Sequence, residues 1–154
     1  MRNLDDTGDE VTVEPFSNYM MGRVKRTTHG GSRTWGLIAT SVYRGFGDGD
    51  EALRTQIPEH AEAVGADWSL TWKNQTYRLM GNVALSNVSG DSQAIRRLQR
   101  SSARYVHRPD RENGSNGFFS DDYDTGATWL RGFGGYARLS KDSGPWLWET
   151  SVNY

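Results

Sequence analysis

Several residue groups have types and spacing that could support chemistry. Carboxylates cluster in two stretches, Asp48-Gly49-Asp50-Glu51 and Asp121, Asp122 and Asp124. Oxygen-rich loops of this kind are what a calcium ion selects, but neither has the ligand spacing of an EF-hand, so no metal site is assigned. His29, His60 and His107 are scattered, without metal-ligand spacing. There is no cysteine, which removes thiolate ligands, disulfides and cysteine nucleophiles. Gly45-Phe46-Gly47-Asp48-Gly49 lacks the spacing and the following helix of a dinucleotide fingerprint. Glycoside hydrolysis would need two facing carboxylates, for example Asp67 with Glu149, and nothing in the sequence joins them. The expectation is therefore no catalysis and no cofactor. What remains is a basic run, Arg96, Arg97, Arg100, Arg104 and Arg108, with Tyr105 inside it. Arginine forks bind anionic groups in pairs of hydrogen bonds, and a tyrosine ring can stack on a sugar. The alternative to such a contact site is a solvated loop. If the run folds into or over a pore, those six residues are the expected lumen or ligand contacts.

The elements that would position these groups are strands. Val64, Ala66, Trp68, Leu70 and Trp72 alternate with Gly65, Asp67, Ser69 and Thr71. After Lys73-Asn74-Gln75 the alternation resumes in the other parity, with Tyr77, Leu79, Gly81, Val83 and Leu85 as one set. Period-two alternation marks a strand with one apolar and one polar face. A two-residue turn at Asn74-Gln75 pairs Trp72 with Tyr77, Leu70 with Leu79, Ala66 with Val83 and Val64 with Leu85. Any turn one residue longer would set the two apolar sets on opposite faces. A Gly30-Gly31 turn likewise sets Val24 beside Leu37, Gly22 beside Ala39 and Arg26 beside Trp35. A turn at Asp142-Ser143 is expected to pair Leu139 with Trp146 and Phe133 with Val152.

Residues 1–10 read as a disordered lead-in, and residues 11–154 as one β domain with long loops near 45–60 and 89–124. Asp91 or Ser92 can cap a short helix through Leu98 inside the second loop. Strands alternate with short and long connections. The expected fold is all-β: an antiparallel up-and-down meander of long strands forming part of a transmembrane β-barrel. The alternative is a soluble β-sandwich acting as a carbohydrate-binding module, whose core face would alternate in the same way.

Composition narrows the classes. The 154 residues carry a net charge of −1, with 18 Gly and 6 Trp. Mean hydropathy is −0.75, and no run reaches the length of a membrane helix. A near-neutral chain gives no bulk electrostatic reason to bind nucleic acid. Trp35, Trp72, Tyr77, Trp146 and Trp148 lie near strand ends, where aromatic side chains suit a membrane interface.

Three stretches are more specific than this pattern. They are VEPFSNYMMGRVKRTTHGGSRTWGLIATSVYR (13–44), YRLMGNVALSNVSGDSQAIRRLQRSSARYVHRPD (77–110) and GFGGYARLSKDSGPWLWETSVNY (132–154). Each resembles a bacterial outer-membrane β-barrel domain of unknown function, usually C-terminal to a family-nine-like carbohydrate-binding module. His107 stands where that pattern has Gln. The resemblance implies an internal slice of the barrel domain, with the binding module absent and any signal peptide upstream in the parent. It further implies a bacterial outer-membrane location, outer-membrane lipid as partner, and carbohydrate or a small anionic solute as ligand of the parent. On this reading the chain is a structural segment of a pore or transport protein, not an enzyme.

Overall fold

The computed structural model describes residues 2–4, 10–12, 14–101 and 123–154. β1 (Arg2–Leu4), in the expected lead-in, pairs antiparallel with β2 (Glu10–Thr12), which extends past its end, as a separate two-stranded sheet. The main sheet has six strands in sequence order, an antiparallel meander that does not close among the described residues. They are β3 (Phe16–Thr28), β4 (Arg33–Gly45), β5 (His60–Trp72), β6 (Tyr77–Ser89), β7 (Trp129–Lys141) and β8 (Trp148–Asn153). Among the described residues two α-helices lie in the long connections, α1 (Glu51–Arg54) and α2 (Ser92–Gln99). No helix among the described residues is long and apolar enough to cross a membrane, which says nothing of strands.

The chain groups into two compact units. One comprises Met21–Thr40, Ala63–Ser86 and Gly132–Tyr154, and contains the three hairpin turns. At the first turn, His29, Gly30 and Gly31 all have positive φ, and the Ser32 N–H donates to the His29 carbonyl at 3.3 Å. The expected pairing across it holds: the hydroxyls of Thr27 and Thr34 meet at 3.2 Å. At the second turn Asn74 and Gln75 have φ of 53° and 65°, and the Thr76 N–H donates to the Lys73 carbonyl at 3.1 Å. Two successive residues in the left-handed region match the right-handed twist of the strands they join. The rings of Trp72 and Tyr77 stack at 5.6 Å across this turn, as the expected register requires.

The third hairpin corrects the sequence reading. Leu139 pairs with Thr150, not Trp146, and Val152 pairs with Ala137, not Phe133. The strands meet at Lys141 and Trp148, so the loop runs from Asp142 through Leu147. Pro145 lacks an N–H for the ladder and Gly144 has a φ of 103°, so pairing cannot begin before them. The register slips by four residues, an even number, so each side chain keeps the face assigned to it. Trp146 lies in the loop, 79% exposed.

The other unit comprises Met1–Met20, Ser41–Glu62 and Asn87–Arg131. Here Asp91 caps α2 as expected, its Oδ1 accepting the Gln93 N–H at 2.8 Å. The amphipathic helix turns Ala94 and Ile95 inward, fully buried. Gln99, also buried, donates through Nε2 to the Asp124 carbonyl at 2.8 Å and accepts the Asp124 N–H at 2.9 Å. One side-chain amide thereby ties the end of α2 to the segment entering β7. Ala94, Ile95 and Leu130 are the buried hydrophobic core of the described residues, and Pro15 is buried as well.

Candidate functional site

Among the described residues, no layer is packed on the apolar face of the long strands. Val24, Leu37, Val64, Val83, Leu85, Phe133 and Val152 are all exposed large hydrophobic residues, and all belong to the apolar sets read from the alternation. One glycine on this face is filled by its neighbours: a Cβ at Gly81 would sit 2.4 Å from the Tyr136 carbonyl oxygen and 2.7 Å from Cζ2 of Trp68. The Trp68 indole therefore lies over the Gly81 backbone, a filling of the kind seen where an aromatic covers a strand glycine. An apolar groove of about 410 Å³ opens beside it, floored by Gly135 and walled by Trp68, Val83, Leu85, Phe133 and Tyr154.

The opposite face carries ion pairs. Arg23 on β3 reaches Asp67 on β5 at 2.7 Å. Gly36 on the intervening strand makes room, since a Cβ there would lie 2.7 Å from the Asp67 Oδ1. Arg78 meets Asp142 at 3.2 Å, and Arg138 pairs with Glu149 across β7 and β8. The two carboxylates weighed for glycoside hydrolysis, Asp67 and Glu149, thus each engage an arginine on strands three apart.

At the turn end the apolar face finishes in aromatic rings: Trp72 stacked on Tyr77, and Tyr77 tilted against Trp148 at 6.5 Å. At the loop end it finishes in polar groups. Strand parity puts Glu62, Asn87 and Arg131 on the same face as Val64, Leu85 and Phe133. Asn87 donates through Nδ2 to the Glu62 Oε2 at 3.0 Å and accepts from the Arg131 Nε at 3.2 Å. The Arg131 guanidinium lies 4.2 Å from the centre of the Trp129 ring, and Tyr43 meets His60 at 5.0 Å. This row across β5, β6 and β7 was not singled out from the sequence. Its signal was present: a Glu, an Asn and an Arg each occupy an apolar-parity position within three residues of a strand end.

The residues expected to contact solute divide into two groups. Arg96, Arg97 and Arg100 are exposed on the side of α2 opposite Ile95, and none makes a hydrogen bond or ion pair among the described residues. Their position in and after the last turn suits cations, because the helix carbonyls end there. Arg104, Tyr105 and Arg108 lie outside the described residues, as do Asp121, Asp122 and His107. In the acidic loop before α1, the Asp50 Oδ2 accepts the Gly47 N–H at 2.8 Å, so this carboxylate shapes the turn itself. Among the described residues no group of three or more His, Asp or Glu side chains could hold a metal ion.

Compared with known proteins, the chain matches no family model, no curated protein and no solved structure.

Proposed function

We propose that this chain is a membrane-spanning segment of a bacterial outer-membrane β-barrel, a structural part of a protein with a pore or transport role. One observation carries the reading: among the described residues the long strands present an uncovered apolar face, bounded along the strands by aromatic rings at one end and by a polar row at the other. Along β5 the distance between these boundaries is ten residues, from Glu62 to Trp72 (72 − 62). At ~3.3 Å per residue and a tilt of ~40°, that projects to about 25 Å, the height of the apolar band of an outer-membrane barrel. A six-stranded sheet is below the eight strands at which bacterial barrels begin, so the remaining strands would come from elsewhere in the parent. The ion-paired face would then line the interior. The resemblance of three stretches to an outer-membrane barrel domain points the same way.

The exposed arginines of α2 belong to the same proposal as contacts for an anionic solute or carbohydrate at the loop end. The deciding experiment is flotation of the chain with phosphatidylcholine vesicles after dilution from urea. Insertion, with protection of the long strands from protease, is the expected result. A chain that folds cooperatively as a soluble monomer without lipid or detergent overturns the reading in favour of a soluble β-sheet module.

A further inference from the structure

Glu62, Asn87 and Arg131 interrupt an otherwise apolar face with one anion and one cation held on either side of a neutral amide. Directly opposed residues on neighbouring strands stand ~5 Å apart, so the row is a compact dipole fixed by hydrogen bonds to a single side chain. A surface meant only to repel lipid at this level would carry either charge alone or mobile lysines. A surface meant for a simple phosphate would not place a carboxylate in the same row, since it would repel the ligand.

We infer that the row is a docking site for a zwitterionic lipid headgroup bearing a phosphate and a primary ammonium. Arg131 takes the phosphate and Glu62 the ammonium; the inference rests on the proposed lipid contact of the strands. The charge order of the row supplies the complementarity. A guanidinium has five N–H donors, so Arg131 can keep its bond to Asn87 and its other contacts while giving N–H to a phosphate oxygen. Its plane is already oriented by Nε on Asn87 and by the Trp129 ring beneath it, so little side-chain freedom is lost on binding. Among the described residues the Glu62 carboxylate has Asn87 as its hydrogen-bond partner and no cation.

The test uses the full chain in detergent micelles with native mass spectrometry. Three lipids of identical acyl chains serve as probes: phosphatidylethanolamine, phosphatidylglycerol and the phosphate-free diacylglycerol. The wild-type chain should retain phosphatidylethanolamine roughly tenfold better than phosphatidylglycerol, the fold-change expected of one charge-assisted hydrogen bond, and phosphatidylglycerol in turn better than diacylglycerol. Arg131→Gln should abolish the preference for phosphatidylglycerol over diacylglycerol. Glu62→Gln should raise phosphatidylglycerol to the level of phosphatidylethanolamine, a reversal that mere loss of structure would not give. Equal retention of the three lipids by wild type, or an unchanged order in Glu62→Gln, overturns the proposal. Flotation separates this from the larger reading. A wild-type chain that inserts into vesicles without headgroup preference removes only the site. A chain that never inserts removes the lipid-facing sheet and this site with it.

Discussion

Arginine substitution along β6 tests the lipid-facing assignment by depth. Asn87 on the polar row and Tyr77 on the aromatic rim are the two boundaries of the apolar face on this strand. Val83 lies four residues from Asn87, or about 10 Å below that boundary at the same rise and tilt, near the middle of the band. Leu79 lies only two residues from Tyr77, within about 5 Å of the other boundary. Val83→Arg should therefore cost about 2–4 kcal/mol in lipid, and Leu79→Arg should fall toward the ~0–1 kcal/mol of interfacial positions. Asn82 sits beside Val83 on the ion-paired face, so Asn82→Arg should be mild. The assay is reversible urea unfolding in phosphatidylcholine vesicles, followed by tryptophan emission. In water the expectation is different, because Val83 is 51% exposed and a charge there should change stability by no more than ~0.5 kcal/mol. Equal costs at Val83 and Asn82 in vesicles would refute the two-faced sheet. Equal costs at Val83 and Leu79 would refute the depth scale.

Gly81→Ala should destabilise by about 1–3 kcal/mol by overpacking, because the new Cβ meets the Tyr136 carbonyl and the Trp68 ring; an unchanged unfolding midpoint would mean that β6 and β7 do not approach as described. Gln99→Leu should cost about 1–3 kcal/mol by leaving both Asp124 backbone groups without their partner, with faster hydrogen exchange at Asp124 as the specific readout. Asp91→Ala should cost about 1 kcal/mol as a lost helix cap, read as faster exchange at Gln93. Arg96→Glu, Arg97→Glu and Arg100→Glu together should shift the reversal potential of the parent pore in planar bilayers toward cation preference; an unchanged potential would reduce these residues to helix-end cations.

The sequence was informative wherever a decision reduced to parity. Alternation in Val64–Trp72 and Tyr77–Leu85 sorted side chains onto two faces, and the exposed apolar residues fall on the face it named. Two hairpins could be paired because Gly30-Gly31 and Asn74-Gln75 sit at the centre of tight turns, where turn length and parity fix the register together. The third could not, because parity is blind to an even slip: a turn at Asp142-Ser143 and the loop through Leu147 give the same faces with different partners. The missing N–H of Pro145 and the positive φ of Gly144 distinguish them, and alternation ignores both. The same blindness hid the site. Averaging over a strand treats Glu62, Asn87 and Arg131 as three isolated exceptions to an apolar set, and Arg131 was visible as such. Their meaning depends on cross-strand register, which brings the three exceptions into one row and bonds them to one another. A polar residue at an apolar position costs little when exposed, but three in register mark a boundary. The informative quantity in a sheet of this kind is therefore the row, which no single strand contains.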